Sequence, residues 1–547
     1  INSYKDLEHM DMAVDTVRKH IELNNKFLLI VDPDVDGVSA SALFINAMKE
    51  MSDIDIEYVL HKGKQHGLSS DIEVDYEKYD IVIVPDAGSN DIDAHKLLHD
   101  KGIDVVVLDH HEVEVGYSDY AVVVNSQLSE DYENKMLSGV GIVWQFVRAY
   151  NDKYNCGIDP NYYLDLVGLG NVADMMSLRS FETKHLMVKG FAKVNNPMFK
   201  AFVKKQDFSM KGKVNPMTVG WYIGPLINAM IRVGTMEEKE LMFKAFLEEN
   251  KDVELPSTKR GAKFGDMENL CEHVARICTN VRSRQNKLVE KGMALIESII
   301  VKEKLENNKV LIIEIPQGEI EPELIGLVAN KITNIKQKPT AILRPVTMEN
   351  GNVDLMGSIR NFGDSPIEDF KGLLVESNLI NWCQGHSSAA GLSVPIGNKQ
   401  ALNEWLNKEL KNVDSSKRFY VDFVFDASNP SDIEAMGECL IQIDQLNEEG
   451  LWGQDMSEPY IAIKNVEVGQ NIQLMGKDQS TLKISYKGVD FMKFKTGSEE
   501  YDELRSAFGS NTMTFIGRAN MNAWGGKKTP QLFIEEYSID KSVEYAF

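Results

Sequence analysis

Long hydrophobic runs are missing from this chain. Stretches such as Phe27–Val31 and Val105–Leu108 are among its longest, far short of the ~18 apolar residues a membrane-spanning helix requires, and no membrane partner is expected. Cysteine is scarce and odd in number. Cys156, Cys271, Cys278, Cys383 and Cys439 form no C-x-x-C pair, which argues against a disulfide framework and a zinc site. Ile1-Asn2-Ser3-Tyr4-Lys5 has no basic-then-apolar leader pattern, so a reducing cytoplasm is the expected location. Tandem repeats and low-complexity tracts are absent too. Positive charge is in short supply: 59 Lys and Arg stand against 83 Asp and Glu, a formal net charge of -24. That balance runs against a nucleic-acid binder, whose sequence-independent affinity rests on Lys and Arg, although a strand feels the local groove rather than the sum. One basic stretch, Lys259, Arg260, Lys263, Arg276, Arg282, Arg284, Lys287 and Lys291, reads most simply as a solvated helix face.

What is present suits a folded protein. At 547 residues, 43% hydrophobic and 26% charged, the chain is too long for one core and has the length of about three domains. Residues 1–240 alternate β-type runs (Phe27–Val31, Ile81–Val84, Val105–Leu108, Ala121–Val124) with segments of helical period, the pattern of βα units stacked about a parallel sheet. Residues 241–305 have helical spacing and little turn chemistry beyond Leu255-Pro256-Ser257 and the Gly261/Gly265 region, which predicts a long helical connector. A smaller α/β domain is expected over 306–412, with strands at Val310–Ile313 and Thr340–Leu343, a helix around Leu324–Ile335, and a glycine-rich end near Gln384–Gly391. Past Ser415, short alternating runs (Phe419–Phe425, Tyr460–Val466, Thr481–Tyr486, Met513–Gly517, Gln531–Glu535) broken by Gly, Asn and Asp predict a small β-barrel over 413–547.

The chemistry is carried by four turns, each read as the carboxyl end of a strand. They are Asp32-Pro33-Asp34-Val35-Asp36-Gly37, Val84-Pro85-Asp86, Asp109-His110-His111, and Asn171-Val172-Ala173-Asp174 after the apolar run Leu164–Leu169. Loops at the carboxyl ends of a parallel sheet converge. Oxygen ligands with one or two imidazoles suit Mn²⁺ or Mg²⁺, and a shared carboxylate, for which Asp86 is the candidate, can bridge a metal pair. Simpler explanations exist for each turn alone. A lone Asp after a strand is most often a helix N-cap, and a His-His pair is commonly structural. The D-x-D-x-D-G opening of a calcium loop is disfavoured, because its twelfth position is Leu43 rather than Glu. All four turns in sequence are much harder to attribute to capping.

In this order the motifs resemble those of the DHH phosphoesterases, named for the triplet at Asp109-His110-His111, and the aspartate-only first motif is similar to that of RecJ-type members. Lys64-Gln65-His66-Gly67-Leu68, Leu137-Ser138-Gly139-Val140-Gly141, and Leu164-Asp165-Leu166-Val167-Gly168-Leu169-Gly170 leading into Asp174 match further family elements. So do Ile223-Gly224-Pro225-Leu226-Ile227-Asn228-Ala229-Met230-Ile231-Arg232, Gly357-Ser358-Ile359-Arg360-Asn361, Gln384-Gly385-His386-Ser387-Ser388-Ala389-Ala390-Gly391 and the closing Ala519–Gly526 segment. The second α/β domain resembles DHHA1, and the C-terminal barrel an oligonucleotide-binding (OB) fold. Leu226, Ile231 and Gln384 depart from the pattern, standing where the family has Arg, Gly and Gly, and a Trp-His pair expected before Ile325-Gly326 is absent; some strand contacts and the substrate are thereby put in question.

The resemblance implies a 5′-to-3′ exonuclease that hydrolyses single-stranded DNA with two divalent ions, Mn²⁺ preferred or Mg²⁺, and releases 5′-mononucleotides. By position, Asp34 and Asp86 with Asp32 would hold one ion, and Asp36, Asp86, His110 and Asp174 the other. His111 would face a phosphate oxygen and Asp109 would orient its turn. Arg232, Asn228, Ser358, Arg360 and His386 would contact the strand. A single-strand-binding protein is a further partner implied by family habit. The competing readings are a DHH phosphodiesterase of short oligonucleotides or cyclic dinucleotides, which has no need of a C-terminal barrel, and a binding relative that has lost catalysis.

Overall fold

Five continuous apolar runs become a parallel sheet. Strands β1 (Phe27–Val31), β2 (Ile56–Leu60), β3 (Ile81–Pro85), β4 (Asp104–Asp109) and β5 (Val122–Asn125) lie in the order β2-β1-β3-β4-β5, every neighbouring pair parallel. β1 and β3 are buried along their whole length, as strands covered on both faces must be. The chain runs outward from β1 to β2 and then returns to β3 on the other side. The carboxyl ends of β1 and β3 therefore flank the point where the strand order reverses, the place where doubly wound sheets open a crevice. The computed structural model describes residues 1–63, 65–68, 73–113, 116–363, 365–414, 418–505, 509–524 and 527–544; Lys64 and the Gly525-Gly526 pair lie outside them.

The fourth turn is not a strand end. Leu164–Ala173 is an α-helix whose first eight residues are all buried, and Asp174 is its C-cap. A helix apolar on every side shows no 3.6-residue period, and so its sequence passes for a buried strand. The helix packs against Val35–Ser52 and Gly139–Tyr154, and the three form the layer beneath the crevice.

The stretch read as one helical connector contains a break. Helix Met236–Phe246, opened by a capping box between Thr235 and Glu238, is followed by a two-stranded hairpin, Glu254–Pro256 paired with Met267–Asn269. Only then does the 34-residue helix Leu270–Glu303 begin. Much of the basic stretch is spent on internal ion pairs, as Lys259 and Arg276 both reach Glu268, Arg284 reaches Glu238, and Lys291 reaches Glu319.

A second sheet follows, in spatial order Trp382–His386, Ala389–Pro395, Val353–Arg360, Thr340–Thr347, Leu311–Glu314. Only its last pair is parallel. Gly357 must be glycine here, because a Cβ would overlap the Ile342 carbonyl oxygen.

From Phe423 onward, seven strands form one sheet in the order Phe423–Asp426, Ile461–Val468, Gly509–Trp524, Lys527–Glu544, Val489–Phe494, Thr481–Tyr486, Ile472–Met475. Helix Pro430–Glu448 contributes Met436, Leu440 and Ile443 to its core. Among the described residues the two edge strands do not pair with each other, so the expected barrel is seen as an open, mostly antiparallel sheet. The chain divides into two compact units, one of residues 1–174, 189–212 and 219–418, the other of 175–188, 213–218 and 419–547. No helix among the described residues is long and apolar enough to cross a membrane.

Candidate metal centre

The residues that end β1 set the first corner of the site. Asp34 caps helix Val35–Ser52, accepting a hydrogen bond from the Gly37 amide at 2.8 Å. Asp32 is buried and accepts from His66 Nδ1 at 2.8 Å and from the Gly67 amide at 3.1 Å. Asp36, in the first turn of that helix, accepts from the amides of Gly139 and Val140 at 2.7 and 3.2 Å. Those two amides open the next helix, where unpaired N–H groups favour an anion.

Asp86 follows β3 with a left-handed backbone, φ 64°, held by its amide donating to the Leu108 carbonyl at 2.8 Å. A non-glycine residue in that region is uncommon and collects at functional sites. Both Asp86 carboxylate oxygens are buried without a hydrogen-bond partner, and so is His110 Nε2. His110 Nε2 lies 3.2 Å from Asp86 Oδ1, 3.3 Å from Asp174 Oδ2 and 3.9 Å from Asp36 Oδ2, without the alignment of a hydrogen bond.

Donor atoms of Asp32, Asp34 and Asp86 lie within 4.8 Å of one another, and so do those of Asp36, His110 and Asp174; a third group joins Asp86 to His110 and His111. Close packing of the carboxylates depends on small residues. A Cβ on Gly37 would fall 2.5 Å from Asp32 Cβ, one on Gly139 2.6 Å from Asp86 Cγ, and one on Gly170 would overlap Asp36 Oδ1.

So many acids in one buried place resist ionisation. Burial and the charges of Asp36, Asp34, Asp32 and Asp174 hold Asp86 well above the ordinary carboxyl range. Burial also lifts Asp32 and Asp36 to about 6 each, with Asp34 adding to both, and Asp174 to about 8, with Asp36 and Asp34 adding. Burial, assisted by His111, pulls His110 down to about 4, leaving a neutral imidazole able to donate a lone pair. Buried oxygens without partners, mutually repelling carboxylates and a neutral histidine are what a divalent cation would resolve, so the residues fit the group.

Asp109 plays a different part. Its oxygens accept from the amides of His110, His111 and Ser89 at 2.7, 3.2 and 3.1 Å and from His111 Nδ1 at 2.8 Å. Burial works against a charge on His111, yet the Asp109 carboxylate carries it up to about 10. The half-exposed ring is a cation at neutral pH, equipped to face a phosphate oxygen.

Among the expected strand contacts, Asn228 and Arg232 share a face of helix Gly224–Val233, four residues apart. Arg232 is pulled down by burial and held up by nearby Asp34, whereas Arg360 is pulled down by burial and by Arg232 itself. The two guanidiniums are therefore close enough to repel, a pair that an anion would satisfy. Arg360 lies over Gly326, where a Cβ would come within 2.6 Å of Nη2 and 3.5 Å of the Ser358 hydroxyl. His386 ends its strand exposed. Leu226 is fully buried and supplies core, not a cation.

Sequence reasoning assigned no role to His66. Its loop follows β2, the strand beside β1, and the carboxyl end of β2 necessarily opens next to Asp32. That adjacency was the available signal.

Comparison with known proteins adds to this geometry. Residues 26–170 match the N-terminal domain of the DHH family, and residues 435–536 match the RecJ OB domain. Over 540 residues the chain is 35% identical to a Bacillus subtilis (strain 168) protein provisionally named an SPbeta prophage-derived single-strand DNA-specific exonuclease, covering 98% of this chain and 91% of that protein. The crystal structure of Thermus thermophilus RecJ in complex with Mn²⁺ superposes with a TM-score of 0.73 at 18% identity, covering 98% of this chain and 72% of that one. The Mg²⁺ complex of that protein gives 0.67 at 17% identity, covering 98% and 71%.

Proposed function

Since the chain belongs to the family of DHH-type, single-strand DNA-specific exonucleases that includes RecJ, we propose that it removes 5′-mononucleotides successively from the 5′ end of single-stranded DNA, using two divalent cations, Mn²⁺ in preference to Mg²⁺. It is an exonuclease of the hydrolase class and a divalent-metal protein, and its C-terminal OB domain is of a kind that binds single strands. Polarity and product follow the family resemblance. Asp32, Asp34 and Asp86 would hold one cation, and Asp36, Asp86, His110 and Asp174 the other. When bound, such a pair supplies the positive charge that balances an in-line displacement at phosphorus. The chain's own residues do the rest. Asp109 keeps His111 protonated and aimed, and the His111 N–H donates to a non-bridging oxygen of the scissile phosphate. Arg232 and Arg360 take a neighbouring phosphate through paired donors, with Asn228, Ser358 and His386 beside them.

The observation that carries this reading is the buried Asp86 carboxylate with both oxygens unpartnered among four other acids. Its test is a time course on 5′- and 3′-labelled single strands and matched duplex, with and without chelator. Asp86→Ala and His110→Ala are each expected to abolish Mn²⁺-dependent cleavage while the far-ultraviolet spectrum and melting stay cooperative. Near-normal turnover in either variant, or shortening from the 3′ end in the unaltered protein, would refute the corresponding part.

A further inference from the structure

The hairpin that interrupts the connector has a job that neither the metal centre nor the core accounts for. Its base is firmly built. The Ser257 amide donates to the Asp266 carbonyl at 2.8 Å, the Lys263 amide to Asp266 Oδ2 at 2.7 Å, and Arg276 Nη2 to Thr258 Oγ1 at 2.8 Å. Its tip is open around the two glycines. Gly261 and Gly265 adopt φ of 88° and 93°, with nothing within 4 Å of where a Cβ would sit, and between them Phe264 is fully exposed. A phenyl ring wholly in water contributes nothing to folding, since it buries no area.

Charge at the tip is unusual for this molecule. No acid occurs from Thr258 to Gly265, whereas Lys259, Arg260 and Lys263 fall within five positions, in a chain whose net charge is -24. Lys259 turns back to Glu268 and Glu272. Arg260 and Lys263 are exposed, and among the described residues neither has a carboxylate partner. Two exposed cations within four residues of a free aromatic ring match one ligand chemistry well. The cations take phosphates, and the ring takes an unpaired base, a contact worth about 1–3 kcal/mol per base. A duplex offers phosphates without a free base face.

We infer that Arg260, Lys263 and Phe264 form a second contact for single-stranded DNA, separate from the metal centre. The inference rests on the reading that the chain works on single strands. Helix Leu270–Glu303 starts at the hairpin, and Arg284 on it reaches the Val233 carbonyl beside Arg232 at 2.8 Å. The intervening turns of helix put the hairpin about 20 Å from that point. A strand of a few nucleotides cannot engage both places; a longer one can.

The experiment measures, in chelator, the anisotropy of labelled oligothymidylates of about 3 and about 30 nucleotides, lengths that bracket common single-strand site sizes. It uses the full chain, Phe264→Ala, and the double variant Arg260→Gln with Lys263→Gln. Phe264→Ala is expected to weaken the long strand at least about fivefold and to leave the short one unchanged. The double variant is expected to lower the salt dependence for the long strand by about 1–2 in log-log slope. Metal-dependent hydrolysis of the short strand should match the unaltered protein in both. Unchanged affinity for the long strand, or equal weakening at both lengths, overturns the hairpin contact alone. Failure of the unaltered protein to bind either length overturns the functional reading and this inference together.

Discussion

Gly170 and Gly168 lie two residues apart on one buried helix and face different neighbours. A methyl group on Gly170 would overlap Asp36 Oδ1 and come within 2.5 Å of Val140 Cγ1; one on Gly168 would come within 2.8 Å of the Phe191 ring. Both alanine variants overfill a packed layer and should each lose about 1–3 kcal/mol of stability. Only Gly170→Ala displaces a carboxylate of the candidate metal cluster, so it alone should weaken Mn²⁺ binding and reduce turnover by around 100-fold, the cost expected of a misplaced group at such a centre. Calorimetric Mn²⁺ titrations beside thermal melts check this, and identical metal affinity in the two variants contradicts it. His66 belongs to the same scale. With its ring removed, Asp32 keeps only the Gly67 amide, and His66→Ala should weaken metal binding by about 10–100-fold, as loss of a hydrogen bond behind a ligand does. A His66→Ala protein with unchanged Mn²⁺ affinity would show that Asp32 is held without it.

Among elements, the hairpin and the helix after it meet at Glu268, a buried carboxylate approached by Arg276 at 2.9 Å, Lys259 at 3.2 Å and His273 at 3.2 Å. Burial raises its pKa, but the hydrogen bonds from Arg276, Lys259 and His273 outweigh burial and bring it to about 2. A carboxyl whose folded value lies below its unfolded value, near 4.3, stabilises the fold above that unfolded value; the stabilisation is lost as pH falls through the folded one. Glu268→Gln should therefore cost on the order of 1–3 kcal/mol at pH 7, and the gap from the unaltered protein should close between about pH 4 and pH 2. Denaturant melts across that range test it; a gap that persists at pH 2 would assign the loss to packing. Elements also divide by how legible they are in sequence. β1, β3 and β4 are plain because strands buried on both faces read as unbroken apolar runs. Leu164–Ala173 is not, since an all-round buried helix writes the same kind of run. The hairpin strands, Glu254–Pro256 and Met267–Asn269, are three residues each, too short for any period to register. Within the site, each acid lies at a turn that sequence can locate. His66 joins them through lateral strand order, and Gly37, Gly139 and Gly170 through close approach, relations that need a third dimension.

For the whole molecule, the telling feature is that the C-terminal unit is not one piece of chain. It takes in residues 175–188 and 213–218 along with 419–547. The Leu178 amide donates to the Gln454 carbonyl at 3.0 Å, Arg179 Nε donates to the Asp455 carbonyl at 3.0 Å, and a Cβ on Gly453 would come within 2.5 Å of Leu178 Cδ1. Met175, at φ 57°, starts the first borrowed segment immediately after Asp174, so the chain passes from a candidate metal ligand straight into the other unit. Leu178 is 2% exposed, and Leu178→Ala should cost about 2–5 kcal/mol by leaving a cavity. Because the segment it anchors begins directly after Asp174, the variant should also bind Mn²⁺ more weakly. A chain ended at Arg418 should show the same two losses in larger measure, beyond any loss of strand binding from the missing OB domain. Melting and Mn²⁺ calorimetry on both proteins make the comparison. If the shortened chain melts cooperatively at the temperature of the full chain and binds Mn²⁺ as tightly, the C-terminal unit is an appended module and the borrowed segments owe it nothing.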